Sequence, residues 1–233
     1  MATVALTGVT HRYPSTTGPS LLDVTLRVAD GEFLVVLGGP GSGRSTLLRM
    51  IQGMEKPTTG TITIDQRDVA QLTPGERNVT MAFENYALYP HMSVAENMGF
   101  ALRLAGRGPA EVDERVAAAA GRLGLAGQLT ASPDELTGAQ RQTVALGRAL
   151  VRDPAVFLMD EPLVKMPPEV RASTRDQVRA LQRELGITTI YATADVADAL
   201  AVADRIAVLE DGRITHMCPP DALPARWQES AAG

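Results

Sequence analysis

Apolar and polar positions alternate with a period of two in the first third of the chain, most cleanly in Leu22, Asp23, Val24, Thr25, Leu26, Arg27 and Val28. This pattern predicts strands over 4–9, 22–28, 33–37, 60–64 and 78–83, with an Asp30-Gly31 turn and one helix beginning near Gly43. From about 84 to 151 the spacing becomes helical and predicts helices over 94–104, 109–123 and 139–151. The second of these carries Pro109 in its first turn and then Glu111, Asp113 and Glu114 near its positive end, the order a helix N-terminus favours. Beyond it, strands over 155–159, 187–192 and 205–209 alternate with helices over 168–185 and 196–203. Strands alternating with helices imply an α/β fold with a mainly parallel sheet covered on both faces. The expected organisation is a single domain: a core from 1–85 and 153–217, a helical subdomain inserted at 86–152, and a short surface tail at 218–233.

Composition narrows the function classes. At 233 residues, with 45% hydrophobic and 21% charged residues, the chain has the material for a packed core, which excludes a disordered or collagen-like polymer. No uncharged stretch approaches the roughly 20 residues needed to cross a bilayer, and the start lacks a basic leader, so a cytoplasmic protein is expected. The single cysteine, Cys218, rules out an internal disulfide framework, and its neighbour His216 gives only two ligands of the four a zinc site needs. A net charge of -5 argues against a nucleic-acid partner.

The most informative local pattern is an apolar strand running into Gly38, Gly39, Pro40, Gly41, Ser42, Gly43, Arg44, Ser45 and Thr46. Glycines let backbone N–H groups wrap a phosphate, the helix that follows presents its positive end, and the Ser45 hydroxyl can ligate Mg2+. Arg44 stands where this pattern has lysine, replacing a compact charge with a planar fork. A Gly-rich turn alone can be purely structural; the strand before it and the helix after it point to phosphate binding.

Two further segments complete the pattern: Leu136, Thr137, Gly138, Ala139 and Gln140 opening a helix, and five apolar residues from Ala155 to Met159 ending in Asp160, Glu161 and Pro162. With these, nearly the whole chain resembles the nucleotide-binding subunit of an ATP-binding-cassette transporter. The resemblance implies a RecA-like P-loop NTPase core with an N-terminal antiparallel β part and an inserted helical subdomain. It implies ATP and Mg2+ as cofactors, with Ser45, Glu84 and Asp160 on the metal, Glu161 as general base, Glu84 at the lid loop and Tyr13 on the adenine. It also implies that Thr137, Gly138, Ala139 and Gln140 reach an ATP held by a second cassette. The run from Asn85 to Asn97 is similar to ATPases of sugar importers, where this surface receives a helix of the membrane-spanning partner. The implied partners are permease subunits, a second ATPase subunit in a heterodimer or homodimer, and indirectly a solute-binding protein. The implied location is peripheral, on the inner face of the cell membrane.

The departures from the family pattern fall at its functional loops. Arg44 replaces lysine, Glu84 replaces the lid-loop glutamine, Thr137 and Ala139 alter the signature, and Ala194 stands at the switch-histidine position. The loop Leu163, Val164, Lys165, Met166, Pro167 and Pro168 lacks an interfacial aspartate, and a cassette without the C-terminal regulatory domain usual in sugar-importer ATPases is expected. If the glycine replaced by Ala139 needed a positive φ, alanine would strain the turn. The expected consequence is low or absent hydrolysis; a pseudo-ATPase that binds ATP for assembly or regulation is the alternative, and a soluble non-transport cassette protein a more distant one. Without the motif context Tyr13 would read as a half-buried aromatic. His11 and His91 read as surface or packing residues, and Met50, Met54, Met81, Met92 and Met98 as core or groove filler.

Overall fold

Strand formation follows the alternation: in β1 (Val4–His11) and β2 (Leu21–Val28) the apolar residues Val4, Leu6, Val9, Val24, Leu26 and Val28 are buried while Thr7, Asp23, Thr25 and Arg27 are exposed. The computed structural model describes residues 2–14, 18–82, 88–164 and 166–229. The chain continues through β3 (Phe33–Leu37), α1 (Arg44–Gln52), β4 (Thr59–Ile64), β5 (Arg67–Asp68) and β6 (Val79–Ala82). Helices α2 (Val94–Leu104), α3 (Pro109–Arg122) and α4 (Gly138–Leu150) follow, then β7 (Val156–Asp160), α5 (Pro168–Leu185), β8 (Thr188–Thr193), α6 (Val196–Val202), β9 (Arg205–Glu210), β10 (Arg213–Cys218) and α7 (Ala225–Glu229). The fold is α/β.

Met1–Met81, Ala155–Glu161 and Arg175–Gly233 form one compact unit. Its antiparallel sheet has the order β2-β1-β4-β5, and its larger sheet the order β10-β9-β3-β8-β7-β6. In the larger sheet β3 pairs in parallel with β8 and β9, and β7 in parallel with β8. All five residues of β3 are buried, as are all five of β7, which is why both read as unbroken apolar runs rather than alternating ones. The core joins both sheets to α1 through residues such as Leu26, Leu34, Val36, Leu48, Ile51, Leu158 and Ile190.

Strand β10 was not expected. It pairs antiparallel with β9 at the sheet edge, and four of its six residues are exposed, so no apolar alternation marks it. The signal that could have found it is the two-residue Asp211-Gly212 connection, whose φ angles of 47° and 75° are those of a tight hairpin turn. The segment after β10 packs back through Leu223, which is 3% exposed.

The second unit comprises Ala82–Pro154 and Pro162–Thr174, against the 86–152 insertion expected from the pattern. Val94, Met98 and Leu102 of α2, Val112 and Val116 of α3 and Val144 of α4 form its separate core. The Ser93 hydroxyl accepts from the Glu96 N–H while the Glu96 carboxylate accepts from the Ser93 N–H, a reciprocal cap that starts α2.

Candidate functional site

Leaving β3, the chain turns through Gly38 to Gly43 into α1. The Gly38 N–H donates to the Thr193 carbonyl at 3.2 Å, and a Cβ there would lie 2.4 Å from the Leu209 carbonyl oxygen and 2.6 Å from Ser42 Oγ. Gly43 has φ 103°, and a Cβ would lie 2.4 Å from the Ser20 carbonyl oxygen. Only glycine permits this closeness and this backbone. No side chain caps α1, so its first N–H groups, which have no partner within the helix, open toward the loop with the positive end of the helix dipole. Ser42 Oγ and Arg44 Nη1 are buried without a hydrogen-bond partner. A donor-lined cradle with an unsatisfied cationic donor fits a phosphate. Gly39, Pro40 and Gly41 form its more open rim.

The carboxylates stand at the end of β7. Ser45 Oγ donates to Asp160 Oδ1 at 3.1 Å, joining the two expected metal ligands, and Asp160 is buried. The next residue, Glu161, donates its N–H to the Ala192 carbonyl at 2.9 Å and has φ 49°, a left-handed backbone that a non-glycine residue adopts at a cost. Its Oε1 lies 2.6 Å from Arg44 Nη2, with the two side chains only 10% and 20% exposed for Arg44 and Glu161 respectively. Tyr13 is half-buried, its hydroxyl 3.4 Å from Thr46 Oγ1, and the His11 ring meets its edge at a centroid distance of 4.6 Å. His11 is itself buried, with Nδ1 donating to the Lys56 carbonyl at 2.9 Å, the arrangement of a packing histidine. Ala194 is exposed directly after β8, next to the Thr193 that holds Gly38.

In the second unit, Thr137 caps α4 and exchanges hydrogen bonds with Gln140. Ala139 lies inside the first turn of α4, so the strain considered for it does not arise. A Cβ on Gly138 would meet only Arg141 Nη2, at 4.0 Å. Glu84, together with Asn85, Tyr86 and Ala87 of the docking run, and Lys165 lie outside the described residues.

Three positioning side chains escaped the sequence reading. Gln142, fully buried, donates its amide to the Pro162 carbonyl, and Arg171 donates to the Leu163 carbonyl at 3.0 Å, so the first two carbonyls after Glu161 are held. A polar residue on the buried stripe shared with Leu146 and Ala149 is the signal for Gln142. Arg77 is 4% exposed and caps the far end of α1, donating to the carbonyls of Met50 at 2.8 Å and Ile51 at 3.0 Å. Burial lowers its pKa from the ordinary arginine value, partly countered by Asp68. Nothing local in the sequence marks it.

Comparison with known proteins places this geometry. The chain is 50% identical over 220 residues to the diacetylchitobiose uptake system ATP-binding protein MsiK of Streptomyces coelicolor, a match covering 94% of this chain and 58% of that protein. It is 46% identical over 223 residues to the sn-glycerol-3-phosphate import ATP-binding protein UgpC of Chromobacterium violaceum, covering 96% of this chain and 60% of that protein. The chain thus spans about three fifths of the length of these curated relatives. Among solved structures it matches cbiO1 of Clostridium perfringens, part of the ABC transporter complex cbiONQ, with TM-score 0.88 and 25% identity over 98% of this chain and 92% of that one. It also matches the ATP-binding cassette MJ0796, as a dimer in a post-hydrolysis state with ADP and Pi, with TM-score 0.79 and 28% identity over 93% of this chain and 98% of that one. The family model described as ABC transporter matches residues 21–164, and the chain belongs to that family as an ATP-binding domain.

Proposed function

We propose that this chain is the ATP-binding subunit of a bacterial importer for a sugar or a similar polar solute, with weakened hydrolysis. The observation that carries the reading is the cradle at the start of α1, with Ser42 Oγ and Arg44 Nη1 buried and unsatisfied where phosphate oxygens would supply acceptors. The names of MsiK and UgpC support an uptake role for a carbohydrate-like solute. Ser45 and Asp160 would hold Mg2+, which when bound offsets charge on the phosphoryl oxygens. Tyr13 offers a ring to the base, the loop N–H groups hold phosphate, and Glu161 orients and deprotonates the attacking water.

Weak chemistry follows from two residues. Ala194 supplies no imidazole to the terminal phosphate, and a hydrogen bond to a charged group contributes about 1.5–3 kcal/mol. Arg44 carries the right charge in the wrong shape. We assign the chain a place on the cytoplasmic face beside permease subunits, paired with a second, motif-complete ATPase subunit that offsets these losses. Titration of the purified chain with a fluorescent ATP analogue tests the core of the reading: binding is expected to be saturable and Mg2+-dependent. No binding at millimolar nucleotide would refute it.

A further inference from the structure

The Arg44–Glu161 contact joins the cation of the phosphate cradle to the carboxylate assigned to water activation. We propose that Glu161 has a second role as the residue that sets nucleotide affinity, because its carboxylate competes with the nucleotide's phosphates for Arg44. This inference rests on reading the α1 loop as the nucleotide site.

Three observations support it. At 2.6 Å the contact is a short, charge-assisted pair between groups largely shielded from water. The carboxylate is placed by its backbone: the Glu161 N–H is bound to the Ala192 carbonyl, φ is 49°, and the following residue, Pro162, has its own φ locked by its ring. The guanidinium is divided, with Nη2 on Glu161 and Nη1 buried without an acceptor, so one arm of the fork is committed before any ligand arrives. A lysine would offer a single compact charge on a flexible stem, free to leave the carboxylate. The planar arginine must swing its whole head to meet a phosphate with both arms, leaving Glu161 half-shielded and unpaired. Binding to this chain therefore includes the loss of an ion pair.

The experiment uses the full chain with two ligands that no hydrolysis can remove, fluorescent ADP and a non-hydrolysable ATP analogue. Glu161→Gln keeps the shape and removes the charge; affinity for both ligands is expected to rise about tenfold, the scale of one shielded charged hydrogen bond. Glu161→Asp keeps the charge but withdraws it by one methylene, and aspartate tolerates the left-handed backbone. It is expected to rise as well, by a smaller factor. Unchanged affinity in Glu161→Gln overturns the competition. A rise in Glu161→Gln with none in Glu161→Asp also overturns it, since that pattern belongs to a general charge effect. If neither the unmodified chain nor any variant binds nucleotide saturably, the nucleotide reading itself fails, a result distinct from both.

Discussion

On the proposed reading, Arg44 and Ala194 both stand where the terminal phosphoryl group of a nucleotide would sit, so the effects of changing them on turnover should be strongly coupled rather than additive. Arg44→Lys with Ala194→His is expected to raise the ATPase rate of the isolated chain at least about tenfold, the transition-state value of one restored charged hydrogen bond. Adding Glu161→Gln should abolish the gain. Steady-state phosphate release checks both, and a double variant that binds ATP yet stays inactive would place the defect elsewhere. The positions of the proposed site residues Gly38, Arg44, Ser45, Asp160 and Glu161 were legible in the sequence because each lies at or just beyond the end of a buried strand. Arg77 was not legible, since its acceptors, Met50 and Ile51, lie some 26 positions earlier and only the folded chain brings them together.

Helices α2 and α4 begin with the same device built from different chemistry. The α2 cap uses Glu96, whose pKa is lowered mainly by the Ser93 N–H and then by the Ser93 hydroxyl. A carboxyl with a depressed folded pKa stabilises the native state above its unfolded pKa and loses that contribution as pH falls through the folded value. The α4 cap uses Gln140, which does not titrate. Acidification from neutral pH to below the carboxylate range should therefore loosen the first turn of α2 and spare that of α4. Amide-exchange protection factors, corrected for intrinsic rates, would show the loss at Ser93, and Glu96→Gln should flatten it. At this scale the sequence was most readable where a proline punctuates a helix, as at Pro109, and least readable in β10, whose exposed side chains carry no periodic burial.

Across the assembled transporter, the proposed pairing with a motif-complete subunit gives two unlike composite sites. One combines this chain's Arg44 and Ala194 with the partner's signature; the other sets the partner's catalytic loops against Thr137, Gly138 and Gln140. The second should carry the turnover. In a co-purified complex with the permeases, Gly138→Asp in this chain is expected to silence ATPase activity, while Glu161→Gln barely alters it; the reverse pattern would mean that this chain's own loops do the work. The space around Gly138 gives that test a particular character. Because a Cβ there would meet no neighbour closer than 4.0 Å among the described residues of its own chain, the substitution is expected to leave folding intact. Expression level, solubility and melting temperature would then pass Gly138→Asp as healthy, and a screen that selects variants on those traits would enrich well-behaved subunits that bring transport to a stop.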